Sequence, residues 1–293
     1  MADRIQHIGV VGSGLMGSGI TEVCARAGLD VVVVEASPEL AESGRARLEH
    51  SLTTGVRRHK LTEDEAESAL AAVRYTTDYD ELADRMLVVE AITEDETAKV
   101  ECFRILDRVV SSEQAILASN TSSIPIMKLA TVTRRPEQVL GLHFFNPVPV
   151  LRLVELVTSL MTSDAVVGEA TSLVTEVLGK RVIRSQDRAG FVVNALLIPY
   201  LLSAVRMLES GFATRDDIDA GMVEGCAHPM GPLALCDLIG LDTMQAVAES
   251  LYAEFKEPLY APPPLMSRMV EAGLLGRKAG RGFYEYTSRA AAG

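Results

Sequence analysis

A doubly wound α/β sheet followed by an all-helical C-terminal domain is the fold class this sequence predicts, on three observations. Between residue 5 and about residue 185, short, nearly all-apolar runs alternate with longer segments of helical period. A Gly-x-Gly-x-x-Gly stands between the first run and the first helical segment. Past Arg188 the strand-like runs stop and helical spacing alone continues. The boundary is therefore drawn between residues 1–186 and 187–293, and 293 residues against roughly 150 per domain leave ample chain for two cores.

Taken in order, the strand candidates are residues 5–11, 31–35, 86–91, 115–119 and 139–143. Each holds only a few residues, almost all apolar, and runs into a polar or glycine-containing turn. Helices covering both faces of a parallel sheet produce that pattern. Residues 191–210, 214–225 and 241–255 place apolar side chains at helical spacing, and Thr214 followed by Asp217 spells a helix start. The three prolines 262–264 read as a loop between the last helices, and no internal repeat is present.

Composition narrows the function before any motif does. With 48% hydrophobic and 23% charged residues and no Trp, the chain reads as an ordinary globular protein. Lys+Arg 28 against Asp+Glu 40 gives a net charge of −12, which lacks the basic footprint of a nucleic-acid or anionic-membrane binder. Cys24, Cys102, Cys226 and Cys236 show neither C-x-x-C nor metal-ligand spacing, so reduced, mostly buried thiols and no metal are expected. Met1-Ala2-Asp3-Arg4 runs straight into an apolar stretch without a charged leader. The longest apolar tract, 191–202, is broken by Asn194 and Pro199 and falls short of the roughly 20 residues that span a bilayer. A cytoplasmic protein without a membrane partner is the expectation.

The strongest local signal is Gly12-x-Gly14-x-x-Gly17, set between a strand and a helix where backbone N–H groups and the helix dipole favour a pyrophosphate. Eighteen residues beyond Gly17 the second strand ends in Glu35, placed to hydrogen-bond the ribose diol of an adenosine. Ala36-Ser37-Pro38 offers no cation to a 2′-phosphate, so NAD is favoured over NADP. Of five histidines only His143 closes a strand at its carboxyl end, the side on which open α/β sheets hold ligands. Twelve residues on, Glu155 sits in an otherwise apolar run, and a buried carboxylate needs a partner that His143 would supply. The polar stretch Ser119-Asn120-Thr121-Ser122-Ser123 closes the preceding strand at the same edge; a turn and helix cap is the competing explanation, stronger for Ser123 than for Ser122.

At these residues the sequence resembles the L-3-hydroxyacyl-CoA dehydrogenases, in particular their free-standing bacterial 3-hydroxybutyryl-CoA dehydrogenase type, over essentially its whole length. Gly12-Ser13-Gly14-Leu15-Met16-Gly17, Val89-Glu90-Ala91-Ile92-Thr93-Glu94, Ser119-Asn120-Thr121-Ser122-Ser123 and His143-Phe144-Phe145-Asn146-Pro147 match family motifs. So do Gly190-Phe191-Val192-Val193-Asn194, His228-Pro229-Met230-Gly231-Pro232 and Gly280-Arg281-Gly282-Phe283-Tyr284. The resemblance implies an NAD-binding Rossmann-type domain and a helical domain that mediates homodimerisation. It implies His143 as general base, Glu155 as its orienting partner, and Ser122 and Asn194 as hydrogen-bonding groups around the substrate oxygen. Ala91, Glu94, Lys99 and Asn146 would line the cofactor. Ser51 and Arg58, the latter where relatives carry Lys, would meet the CoA of an acyl-CoA substrate, and a basic cluster of Arg57, Arg58 and Lys60 suits its ADP end. The activity implied is reversible oxidation of an L-3-hydroxyacyl-CoA with NAD+ in short-chain fatty acid or hydroxybutyrate metabolism. Two other readings share the fold: a dehydrogenase of a free 3-hydroxy acid such as L-gulonate, and a non-catalytic NAD-binding structural protein. Intact His143, Glu155, Ser122 and Asn194 speak against the last.

Overall fold

The computed structural model describes residues 5–286, which divide after Arg188 into two compact units. In the first, eight strands form one sheet: β1 (His7–Val11), β2 (Asp30–Val34), β3 (Val73–Thr76), β4 (Leu87–Glu90), β5 (Ile116–Ser119), β6 (Val139–Phe144), β7 (Leu153–Thr158) and β8 (Arg181–Gln186). Their spatial order is β3-β2-β1-β4-β5-β6-β7-β8. Neighbouring strands run parallel except β6 and β7, which are antiparallel. Val31 to Val34 are wholly buried, as a strand covered on both faces requires.

Helices α1 (Leu15–Arg26), α2 (Pro38–Arg57), α3 (Glu63–Ala71), α4 (Glu96–Val109), α5 (Ile126–Ala130) and α6 (Asp164–Ser172) connect the strands. Local chemistry starts several of them. The Ser37 hydroxyl accepts from Leu40 N ahead of Pro38, Thr62 and Glu65 form a reciprocal capping box, and Asp95 accepts from Ala98 N. Asp107, near the end of α4, ties that helix to the segment entering β6. Its carboxylate accepts from Arg134 Nε at 2.8 Å and Arg135 Nε at 3.1 Å, and Arg135 also donates to the carbonyls of Asp107 and Val110.

The second unit is built of helices α7 (Val193–Glu209), α8 (Arg215–Cys226), α9 (Pro232–Ile239), α10 (Leu241–Phe255) and α11 (Pro264–Glu271) around Leu201, Leu202, Leu233, Met244 and Leu251. The expected Thr214 start is there, its hydroxyl accepting from Asp217 N. Two buried aspartates close the unit. Asp219 accepts from Leu233 N and Ala234 N, while Asp237 accepts from Phe283 N and Tyr284 N of the final segment. The motifs around Gly231 and Gly282 are thus the places where chain folds back onto these carboxylates.

The structure adds elements that periodicity did not predict: β3, β7, β8, α9 and α11. The two added helices are eight residues each and open on proline, too short for a clear helical period. Among the described residues no helix is long and apolar enough to cross a membrane. Cys24, Cys102 and Cys236 are buried free thiols, and Cys226 is an exposed one.

Candidate active site

The loop after β1 is shaped by its glycines. Gly12 has φ +91°, and a Cβ there would lie 2.8 Å from the Ala91 carbonyl oxygen; one on Gly17 would lie 1.9 Å from the Gly12 oxygen. At Gly14 an added Cβ would meet nothing within 4 Å, so the turn is tight on its protein side and open on the other. Gly14 caps α1 without a side-chain acceptor, and the first turn of that helix carries no acid. Open N–H groups and a positive helix end fit the pyrophosphate of a dinucleotide. Beside the cradle, Glu35 accepts from the Ser13 amide and, at 2.8 Å, from the Ser13 hydroxyl. Arg47, 34 residues from Ser13 in sequence, reaches the same place by donating to the Ser13 carbonyl at 2.7 Å.

At the carboxyl ends of β4 and β5 lies a charge network, buried at Glu90 and Lys99 and open to solvent at Glu94. Glu90 accepts from Lys99 Nζ at 2.5 Å, Ile92 N at 2.8 Å and Ser119 Oγ at 2.6 Å. Lys99 is also 3.3 Å from Glu94. Glu94 Oε1 gathers the hydroxyls of Thr121 (2.5 Å) and Ser123 (2.9 Å) and the amides of Ser122 (2.9 Å) and Ser123 (3.1 Å). Burial pushes the Glu94 carboxyl up, but the Lys99 ammonium and these donors outweigh it and hold the group below its usual value. Ala91, whose amide donates to the Val11 carbonyl, joins this edge to the glycine cradle.

One strand further on, the antiparallel ladder of β6 and β7 places His143 directly opposite Glu155. Nδ1 of His143 is 2.7 Å from Glu155 Oε2; Glu155 is fully buried and His143 nearly so. The Phe145 ring stacks obliquely on the imidazole, centroids 4.6 Å apart. On the other side of β6 the ladder to β5 ends at Ser119 and Gly141, and Asn120 Oδ1 finishes it by accepting from Phe144 N at 2.9 Å. The hydrogen bond on each side of the strand end fixes where the imidazole stands.

The remaining candidates are dispersed. Asn146 and Ser51 line a common groove of about 610 Å³ between α1, α2 and the loop after β6, with Leu15, Leu48, Val148 and Pro149 as apolar wall. Arg58 is an exposed residue at the C-terminus of α2, outside that lining, with Arg57 and Lys60 also exposed close by in the chain. Asn194 belongs to the first turn of α7 in the second unit. Among the described residues no group of three His, Cys, Asp or Glu side chains is placed to hold a metal ion. Sequence reasoning passed over Glu90 and Asn120. For Glu90 the signal existed, an acid ending the apolar run Leu87-Val88-Val89, the same pattern that pointed to Glu155.

A parallel sheet whose first turn is a glycine cradle and whose second strand ends in an acid, with a His–carboxylate pair at the same edge, defines a dinucleotide-dependent oxidoreductase. Comparison with known proteins narrows this. Residues 7–188 match the family model described as 3-hydroxyacyl-CoA dehydrogenase, NAD binding domain, and residues 190–286 the one described as 3-hydroxyacyl-CoA dehydrogenase, C-terminal domain. The chain is 58% identical over 286 residues to a 3-hydroxybutyryl-CoA dehydrogenase of Mycobacterium tuberculosis, covering 98% of this chain and 100% of the relative. It is 38% identical over 289 residues to the human mitochondrial hydroxyacyl-coenzyme A dehydrogenase, covering 96% and 91%. The crystal structure of (S)-3-hydroxybutyryl-CoA dehydrogenase from Ralstonia eutropha superposes with a TM-score of 0.92 at 48% identity, covering 97% of this chain and 100% of that one. The chain belongs to the 3-hydroxyacyl-CoA dehydrogenase family, and its cofactor is NAD.

Proposed function

We propose that this chain reversibly oxidises a short-chain L-3-hydroxyacyl-CoA, 3-hydroxybutyryl-CoA in the first instance, to the 3-ketoacyl-CoA. The observation that carries the mechanism is the buried His143–Glu155 pair at 2.7 Å on the ligand side of the sheet. Glu155 accepts a hydrogen bond from Nδ1–H, which fixes the tautomer, so Nε2 of neutral His143 takes the C3 hydroxyl proton. The Glu155 carboxylate favours the imidazolium as it forms. Ser122 donates to the same substrate oxygen and holds it toward Nε2. Bound NAD+ supplies the acceptor for the hydride leaving C3.

Gly12, Gly14 and Gly17 hold the pyrophosphate, Glu35 the adenosine ribose, and Ala91, Glu94 and Asn146 line the nicotinamide half, with the buried Lys99 behind them holding Glu94 in place. The groove beside Ser51 takes the pantetheine arm, its apolar wall suiting the chain of that arm, and Arg58 meets the nucleotide end of CoA. The enzyme works in the cytoplasm as a homodimer joined through its helical unit. The deciding experiment measures acetoacetyl-CoA reduction and 3-hydroxybutyryl-CoA oxidation for wild type, Glu155→Gln and His143→Ala. Removing the carboxylate charge weakens the acceptor that orients the imidazole, so Glu155→Gln should lose turnover in both directions. His143→Ala should lose most turnover while its NADH titration stays near wild type. Normal turnover in either variant would remove the pair from the mechanism.

A further inference from the structure

Lys180, which immediately precedes β8, is a lysine that the fold buries to 9% exposure without giving it a carboxylate within ion-pair distance among the described residues. Its charged neighbour is Arg26, and burial together with that like charge pushes its ammonium pKa below the usual value. A buried cation of this kind is costly, and an apolar side chain would fill the space without the cost. What Lys180 does have is two backbone acceptors, the carbonyls of Val148 at 2.6 Å and Leu151 at 2.8 Å. Both belong to the turn that follows β6, in which the amides of Val150 and Leu151 converge on the Pro147 carbonyl.

The far side of this turn is pressed on α1. A Cβ on Gly19 would come 2.8 Å from Val148 Cβ, closer than such atoms pack, so the turn sits as near the dinucleotide helix as a glycine allows. Residues 146–149 form one wall of the groove that α1 and α2 complete. His143 and Glu155, by contrast, are held by their own ladder and by Asn120. We propose that Lys180 is a positioning residue: its two hydrogen bonds hold the 146–151 turn against α1 and so set the placement of Asn146 and the width of the cofactor and thioester groove. The inference rests on the functional reading above for the thioester, though not for the cofactor.

The test compares Lys180→Met, which keeps the bulk and removes the donors, with Lys180→Arg, which keeps donors and charge. NADH titrations and acetoacetyl-CoA kinetics of Lys180→Met should show the NADH Kd and the thioester KM raised roughly three- to tenfold, with kcat reduced less than either and the pH–rate profile unmoved. Lys180→Arg should recover most of the affinity. Gly19→Ala, which pushes the turn from its other face with Lys180 intact, should raise the NADH Kd in the same direction. Folded Lys180→Met with Kd and KM within twofold of wild type overturns the proposal. So does loss of folding in Lys180→Met together with an unchanged NADH Kd in Gly19→Ala, because the lysine would then serve the fold alone. Because NADH affinity is read without turnover, wild type inactive on acetoacetyl-CoA would refute the substrate reading and leave the cofactor arm standing.

Discussion

Three carboxylates stand in or just past the strands of the proposed site, and their surroundings differ. Glu155 is walled in and faces an imidazole, Glu90 is walled in and faces an ammonium, and Glu35 is half-buried on the Ser13 amide and hydroxyl. A 2′-phosphate at Glu35 would meet a negative charge, and the nearby Arg47 is engaged by the Ser13 carbonyl. Steady-state kinetics should therefore show NADH used at least about tenfold more efficiently than NADPH, roughly 1.4 kcal/mol; parity between the two would contradict that role for Glu35. Glu155 was readable because a lone acid in an apolar run demands a partner, and Glu90 obeyed the same rule without being read. Asn120 and Lys180 gave no such signal. Their partners are backbone groups, which no residue type in the sequence announces.

Apolar runs found five of the six inner strands, β1, β2, β4, β5 and β6, because those are buried on both faces and so nearly uniform in composition. β3 and β8 lie at the sheet's two edges, and their partly exposed residues, Arg74 and Tyr75 or Arg181 and Arg184, break the run that marks a strand. β7 lies in an apolar run that was not read as a strand, and its antiparallel direction depends on the length of the turn before it, not on its composition. The Asp107 clamp belongs to this scale, since it joins α4 to the entry of β6. Burial raises the Asp107 carboxyl, yet the Arg134 and Arg135 hydrogen bonds win and hold it below its ordinary 3.8. A carboxyl lowered on folding stabilises fully above its unfolded value and loses that contribution as pH falls through the folded one. Urea denaturation should thus find Asp107→Asn less stable by about 2 kcal/mol at pH 7. The gap to wild type should narrow below pH 3.8, and a gap independent of pH would mean that the charge is not what stabilises.

For the whole molecule, the family models meet at the same place as the two compact units, residues 188 to 190. In the sequence the hydrophobic period changes past Arg188, because a sheet and a helical bundle impose different spacings on the same apolar residues. The helical unit also exposes large apolar side chains, Phe212 at 80%, Leu196 at 72% and Leu238 at 50%. Sedimentation equilibrium in the micromolar range should return twice the 31.6 kDa of one chain, as the proposed homodimer requires. A mass of one chain at those concentrations would refute it.

The antiparallel turn between β6 and β7 has a bearing on how the molecule comes together. His143 and Glu155 are 12 residues apart, whereas the ladder that completes the glycine cradle joins Ile8 to Leu87, about 80 residues apart. Chain-closure entropy alone separates these by about 1.7 kcal/mol in favour of the shorter loop. The proposed acid–base pair is thus a local contact carried by one hairpin, while nucleotide recognition waits on distant crossovers. A circular permutant opened within α2 or α3 would delay assembly of the cradle and leave the hairpin's own closure untouched, so chemistry and cofactor binding are separable in the order of folding.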